Sequence, residues 1–339
     1  MGGGPLTRPQ PHGWLVLDKP PGLGSTQAVG AVKRVLREAG YGRVKVGHGG
    51  TLDPLAEGVL PIALGEATKL AGRLLDASKA YAFTVRFGAE TDTLDTEGQV
   101  VSTSERRPPR AAIAAILEHF TGEIDQLPPA YSALKVDGQR AYVRARAGEE
   151  VVLEHRRVTI HSLALAGTAA GGGSHPPLAS AFATTAGRPD PYDPAAPLEL
   201  AESVTLVANV SKGTYIRSLA RDIARALGTA AHVTWLRRTR AGPFGEAQAI
   251  SLDRLNEIGK GAPLEDHLLP LEAGLDGIPA LSLDPESAQA VRQGRVLSGL
   301  PHPDGLHLAT HGSTPVALME LSGGTAKVVR GFNLIDTAE

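Results

Sequence analysis

The sequence predicts an α+β protein in two parts, a larger one of interleaved helices and strands and a smaller one of short strands. Three observations carry this. From Trp14 to Leu227, helical periodicity and strand alternation take turns along the chain. After about Gly274 the pattern changes to short apolar runs, such as residues 316–321 and 325–329, broken by Gly, Pro and Asp, which suits a small β-barrel-like domain. The 339 residues are 42% hydrophobic and 21% charged, enough for a sizeable core and outside the disordered range.

Trp14-Leu15-Val16-Leu17 reads as a buried strand before the turn Lys19-Pro20-Pro21-Gly22. Ser25 or Thr26 is then placed to cap a helix that runs to Ala39 and is closed by Gly40. Val29, Val32, Val35 and Leu36 share its inner face, with Lys33, Arg34 and Arg37 elsewhere. Next comes Gly47-His48-Gly49-Gly50-Thr51-Leu52-Asp53-Pro54-Leu55-Ala56, one carboxylate among glycines and small residues. The local pattern fits Asp53 as the cap of a short helix, with Pro54 at its first position. Gly58 and Pro61 would end such a helix within about a turn and a half, so the cap would stabilise little. It also explains neither His48 nor the glycines, which leaves a carboxylate positioned for chemistry as the reading to pursue.

Residues 81–87 alternate, with Tyr81, Phe83, Val85 and Phe87 on one face of a strand. By spacing alone Tyr81 is a core tyrosine. Residues 109–120 form an amphipathic helix through Ile113, Ile116, Leu117 and Phe120. Residues 125–154 are polar, basic and aperiodic, a long excursion. Residues 167–200 are low-complexity, with six prolines and five glycines, and they separate two β-like runs, 158–166 and 203–210. This segment reads as a surface insertion. Residues 215–227 are helical, burying Ile216, Leu219, Ile223 and Leu227. Arg217, Arg221 and Arg225 recur every four residues; without acidic partners they repel, so an anion is expected to face them. Lys212-Gly213-Thr214 would place free backbone N–H groups at the helix start, an anion site.

Composition excludes several chemistries. There is no cysteine, hence no disulfide, thiolate metal site or cysteine nucleophile. The eleven histidines are scattered, which argues against a metal centre, and no Walker or dinucleotide loop is present. No run approaches the roughly 18 apolar residues of a membrane span. The opening residues lack the basic-then-apolar pattern of a signal peptide, so the cytoplasm is the expected compartment. Net charge is −2, yet residues 205–245 hold seven basic side chains against one acid, while residues 251–339 hold twelve acids against six bases. A basic stretch offset by an acidic end is compatible with phosphate binding on one face; a solvated helix face is the plainer alternative.

Residues 47–70 (GHGGTLDPLAEGVLPIALGEATKL) closely resemble the signature of the bacterial tRNA pseudouridine(55) synthases, the B-type family. Five further segments match in order: Leu17-Asp18-Lys19-Pro20-Pro21-Gly22, Lys79-Ala80-Tyr81, Tyr131-Ser132-Ala133-Leu134-Lys135, Ser211-Lys212-Gly213-Thr214-Tyr215-Ile216-Arg217-Ser218 and Leu236-Arg237-Arg238. Two departures are Gly49 and Glu57, each where many members have threonine. The resemblance implies a mixed-sheet catalytic domain with a central cleft over residues 13–250. It implies a thumb that closes on RNA over residues 125–154, a linker over 251–276 and an RNA-binding PUA-like domain over 277–339. Residues 167–200 stand where the family has a short turn.

The implied reaction breaks the glycosidic bond of a uridine and rejoins the ribose to carbon 5 of the same base, without redox change, metal or other cofactor. It needs an ionised carboxylate, and a nearby guanidinium would keep one ionised. By resemblance, Asp53 is that carboxylate, Tyr81 stacks on the flipped base and assists proton removal, and Arg217 pairs with Asp53. His48 helps occupy the space the base vacates or holds the base extruded, Lys19 and Pro20 support the site, and Leu236 packs on the base. Lys212 and Arg221 are expected to contact RNA. The implied partner is the T-stem-loop of tRNA, bound by a monomer with no guide RNA and no membrane. Two other classes compete: a glycoside hydrolase using Asp53 and Glu57, and a non-catalytic RNA-binding protein using the arginine row.

Overall fold

The computed structural model describes residues 8–132, 134–136, 138–166 and 199–334. The chain runs through β1 (Gly13–Lys19), α1 (Ser25–Glu38), β2 (Val46–His48), β3 (Glu57–Leu64), α2 (Ala71–Asp76) and β4 (Lys79–Phe87). A hairpin of β5 (Ala89–Thr91) and β6 (Val100–Thr103) leads to α3 (Arg110–Ile116) and β7 (Gly122–Gln126). A second hairpin, β8 (Lys135–Val136) and β9 (Gln139–Arg140), precedes α4 (Ala141–Arg146). Then come β10 (Arg156–Leu165), β11 (Ser203–Val210), α5 (Ile216–Ala226), β12 (Ala231–Ala241), β13 (Phe244–Gly245) and α6 (Leu252–Gly259). The last part holds β14 (Ala280–Ser282), α7 (Pro285–Arg292), β15 (Leu297–Ser298), β16 (Gly305–His311), β17 (Thr314–Ser322) and β18 (Thr325–Gly331).

One nine-stranded mixed sheet runs β1-β3-β12-β4-β11-β10-β7, with β2 on β3 and β13 on β12. Only the β3–β12 pairing is parallel. The alternation in β4 works as read: Phe83, Val85 and Phe87 enter the main core with Tyr81 packed at its margin, while Ala82 faces the other way with Val207. Helices α1 and α5 cover the same core with Val32, Val35 and Leu36, and with Ile216, Leu219 and Ile223. Strands β10 and β11, on either side of residues 167–200, pair antiparallel from Leu165↔Leu206 to Ile160↔Val210. Residues 167–198 of that insertion lie outside the described residues.

The structure corrects the local reading in several places. Gly24, not Ser25 or Thr26, holds the cap position of α1, and its N–H donates to Gln27 Oε1 at 2.8 Å. No helix follows Asp53: residues 51–56 are irregular, and Gly58 and Pro61 lie inside β3. Strand pairing wins there because Gly58, at φ +101°, packs so close to the Arg238 carbonyl that a Cβ would lie 2.3 Å from its oxygen. The helix over residues 109–120 tightens to 3-10 geometry from Leu117 to Phe120. Asp125 and Gln126 belong to β7, so the excursion starts after them. Residues 251–276 are not a free spacer. Leu255, Ile258 and Leu264 sit in the core with α1, and Leu271 and Leu275 pack with Trp14.

The C-terminal sheet, β14-β16-β17-β18-β15, curls as a half-barrel around α7, which buries Ala288 and Val291 against it. A shared apolar cluster joins it to the large sheet: Trp14, Val16 and Phe244 on one side, Leu308, Leu318 and Phe332 on the other. Polar bonds reinforce the contact, from Lys69 Nζ to the Gly331 carbonyl (2.9 Å) and from Asn333 N–H to Glu66 (2.8 Å).

Candidate active site

Asp53 sits on an irregular segment between β2 and β3, yet the backbone there is bonded almost residue by residue. Arg238 donates to the carbonyls of Gly50 (3.3 Å), Thr51 (3.2 Å) and Val59 (2.8 Å). Ser25 Oγ accepts the Leu52 N–H at 2.8 Å and donates to the Leu52 carbonyl at 2.9 Å. Lys19 Nζ donates to the carbonyls of Pro54 (3.2 Å), Pro20 (2.9 Å) and Leu23 (2.7 Å). Lys19 and Arg238 are buried and come from β1 and β12, the strands on either side of β3. A buried cation must be hydrogen-bonded, and here the acceptors include the Gly50, Thr51 and Pro54 carbonyls of the loop itself. Burial lowers the Lys19 pKa to about 8, the Arg238 charge acting the same way and Asp53 against it.

One guanidinium organises the carboxylates. Arg217 Nη2 meets Asp53 at 2.8 Å and the Tyr131 carbonyl at 3.0 Å, while Nη1 meets Asp95 at 3.1 Å and the Thr93 carbonyl at 2.8 Å. Asp95 is almost fully buried; it also accepts from Thr93 Oγ1 (2.5 Å) and the Glu97 N–H (2.9 Å). Asp53 remains 33% exposed, so it is the member of the pair that a ligand can reach. The motif reading missed Asp95. A usable signal is the dense polar run Thr91-Asp92-Thr93-Leu94-Asp95, in which Leu94 takes φ +64°, the one non-glycine in that region among the described residues.

Asp53 borders two spaces. A cavity of about 90 Å³ is lined by Leu52, Tyr81, Tyr215, Ile216, Arg217 and Leu236. A larger cleft, about 440 Å³, opens toward Asp92, Glu97, Tyr131, Ser132, Tyr142 and Arg146. The fold thus gathers Asp53, Tyr81, Arg217 and Leu236 around one small space of mixed polar and apolar lining, with a single carboxylate at its edge.

The other expected residues fall elsewhere. Lys19 and Pro20 lie behind the loop. His48 ends β2, half-buried, with Nδ1 buried and unpartnered; burial and the Arg238 charge lower its pKa, keeping the ring neutral. Lys212 is exposed and pairs with exposed Asp76 at 2.7 Å. Helix α5 starts at Ile216 with Tyr215 at the cap, whose N–H donates to Gln126, so Lys212-Gly213-Thr214 is not the helix start. The arginine row is not left unpaired: Arg217 has Asp53 and Asp95, Arg221 has Asp222 (2.8 Å) and the Leu127 carbonyl (3.0 Å), and Arg225 has Glu90 (2.9 Å). Arg221 is buried as well. The repulsion that called for an outside anion is therefore absent. Glu57 lies on a strand and accepts from Trp235 Nε1 (3.1 Å) and Arg237 (3.4 Å), so it does not form a carboxylate pair with Asp53 on a helix face, and the glycosidase arrangement loses its second acid. Among the described residues no group of three or more His, Asp or Glu is placed to hold a metal ion.

Comparison with known proteins places this geometry in context. The model of the TruB family pseudouridylate synthase N-terminal domain matches residues 33–171, and that of the tRNA pseudouridylate synthase B C-terminal domain matches residues 217–276. The chain is 63% identical over 327 residues to the tRNA pseudouridine synthase B of Novosphingobium aromaticivorans, covering 96% of this chain and 99% of that one. It is 52% identical over 322 residues to the protein of the same name from Zymomonas mobilis, covering 95% and 96%. A chain of an H/ACA ribonucleoprotein bound to a substrate RNA containing 2′-deoxyuridine superposes with a TM-score of 0.66 at 24% identity, over 96% of this chain and 86% of that one; this likeness concerns the fold.

Proposed function

The chain belongs to the TruB family of pseudouridylate synthases, and from that premise we propose that it acts on the uridine at position 55, in the T-loop of tRNA, with Asp53 as the reacting carboxylate. The protein is an isomerase that converts a tRNA uridine to pseudouridine. The observation that carries the assignment to Asp53 is its place as the reachable carboxylate of the Arg217 pair, at the rim of a cavity of about 90 Å³.

A uridine within a folded loop must leave its stack to reach that cavity. There the flat Tyr81 ring and the aliphatic Leu236 side chain offer contact to the base, and Asp53 faces the sugar edge. The N1–C1′ bond breaks and a C5–C1′ bond forms; C5 loses a proton and N1 gains one. Asp53 supplies negative charge or a nucleophilic oxygen at C1′. Arg217 pairs with it beforehand, and because Arg217 also holds Asp95, the guanidinium retains a counter-charge when the Asp53 charge is consumed. Tyr81 is assigned the transfer of the C5 proton. No cofactor enters this scheme.

In this reading Lys19 and Pro20 support the loop and His48 holds the base extruded. Lys212 contacts phosphate at the rim, since an exposed ion pair such as Lys212–Asp76 is weak enough to be exchanged. Arg221, buried and internally bonded, braces α5. Residues 127–154 grip the RNA as a thumb, and the C-terminal half-barrel adds RNA contacts as a PUA-like domain. In this reading the protein works as a cytoplasmic monomer without guide RNA. The test is to incubate the protein with an unmodified tRNA transcript and map pseudouridine by nucleotide. Modification at position 55 alone, lost in Asp53→Asn, is expected; a different position, or an active Asp53→Asn, overturns the reading.

A further inference from the structure

Lys79 opens β4, two residues before Tyr81, and no role in the reaction falls to it above. Its side chain is buried, and its ammonium donates to the carbonyls of Leu74 (2.8 Å), Leu75 (2.8 Å) and Ala77 (2.6 Å). These are carbonyls that the C-terminal end of α2 leaves without helical partners. A glycine or asparagine usually ends a helix at less cost. A buried ammonium is an expensive cap: desolvation, aided by the Arg238 charge, lowers its pKa to about 8. What the cap fixes is the end of α2. Leu74, 2% exposed, rests in a notch made by two glycines. A Cβ at Gly49 would lie 2.4 Å from Leu74 Cδ1, and one at Gly242 would lie 3.1 Å from Leu74 Cδ2. Gly49 follows His48 and precedes Gly50, whose carbonyl Arg238 holds. An unbroken line of contacts therefore runs from the Lys79 ammonium through Leu74 to the start of the Asp53 segment.

We propose that Lys79 is a positioning residue for the isomerisation: it ties off α2 so that Leu74 seats on Gly49 and sets the path of residues 48–53. This rests on the reading of Asp53 as the reacting carboxylate. In single-turnover assays on saturating tRNA transcript, well below the thermal midpoints, Lys79→Met should slow conversion roughly 10- to 100-fold, the cost of a small misplacement. The Kd for tRNA should stay within about threefold, since no group near the RNA-facing cleft is removed. Leu74→Ala, which keeps the cap but empties the notch, should slow conversion similarly. The double variant should be no slower than the slower single one, because both act through Gly49. A Lys79→Met rate within about twofold of wild type, or two effects that multiply, overturns the proposal. A merely structural lysine would lower the thermal midpoint and leave the rate of the folded protein unchanged. If Lys79→Met does not fold, Leu74→Ala and Gly49→Ala carry the test, the latter by evicting Leu74; normal rates in both overturn it. Asp53→Asn is run in parallel. Activity there removes the Asp53 reading itself, whereas an inactive Asp53→Asn beside an unaffected Lys79→Met removes only the role of Lys79.

Discussion

Two stretches wall the same cleft and are held in opposite ways. Residues 50–56 have no regular structure, yet Lys19, Ser25, Arg217 and Arg238 hold them through buried bonds. The described residues between 131 and 146 contain a hairpin and a helix, but bury little beyond Ser132 and Ala141. Tyr142 and Val143 are exposed, and Arg146 stacks over Tyr142 at 5.6 Å. Their ties to the core include the Arg217 bond to the Tyr131 carbonyl and a Tyr131 hydroxyl bond to Asp92 (3.3 Å). Regular secondary structure is thus not the source of rigidity here; the density of buried bonds is. Under the proposed function this division makes sense: a reacting carboxylate gains from being fixed before substrate arrives, whereas a surface that grips RNA gains from adjusting.

Substitutions can break this contrast, and the largest effect belongs at the fixed stretch. Asp53→Asn should lower the single-turnover rate at least roughly ten-thousandfold, about 5 kcal/mol, with tRNA affinity largely kept. A rate within tenfold of wild type would separate the rigid loop from the chemistry. Arg217→Met leaves Asp95 buried without its cation; urea unfolding should show a loss of about 3–5 kcal/mol along with activity. Arg238→Met touches no substrate in the proposed scheme, so about a hundredfold loss of rate at unchanged tRNA Kd would show that the carbonyl clamp acts by placement. An unaltered rate would make the clamp mere packing. On the looser side, Tyr142→Ala should move stability by no more than about 0.5 kcal/mol. Its tRNA binding should weaken about tenfold, the worth of one lost stacking contact. Equal tRNA affinity would take α4 out of the RNA-facing surface. The smallest effect should come from Arg225→Ala, which loses a surface pair with Glu90 worth about 0–1 kcal/mol. The slope of tRNA binding against salt should not change; a drop of about one would mean that Arg225 meets a phosphate.

Asp53, Tyr81, Arg217 and Leu236 stand out in the sequence because each lies in a short run that resembles a family motif. The fold brings all four to one cavity. Asp95 and Arg238 are harder to see because their work is long-range: Asp95 meets Arg217 across 122 positions, and Arg238 reaches the Gly50 carbonyl across 188. Lys19, in a Pro-Pro-Gly turn, has a surface lysine's local signature; only the meeting of β1 with the loop before β3 buries it. The arginine row shows the limit of helical spacing. Four-residue recurrence places arginines on one side of α5, but two of the three gain acids from other segments, Asp53, Asp95 and Glu90. The Asp-Pro pair before Leu55 has the form of a helix cap, and a tertiary constraint, the close passage of Gly58 over Arg238, overrides it.

The apolar cluster shared by Trp14, Phe244, Leu318 and Phe332 makes the two sheets one unfolding unit, since neither can open without wetting the other. Burying that cluster also opposes a swivel between them. The span from the Asp53 cavity to the outer face of the C-terminal half-barrel is a fixed length, like the jaws of a caliper set once. In the proposed scheme an RNA that touches both is gauged against that length, and the give on the protein's side is confined to the looser stretch around α4.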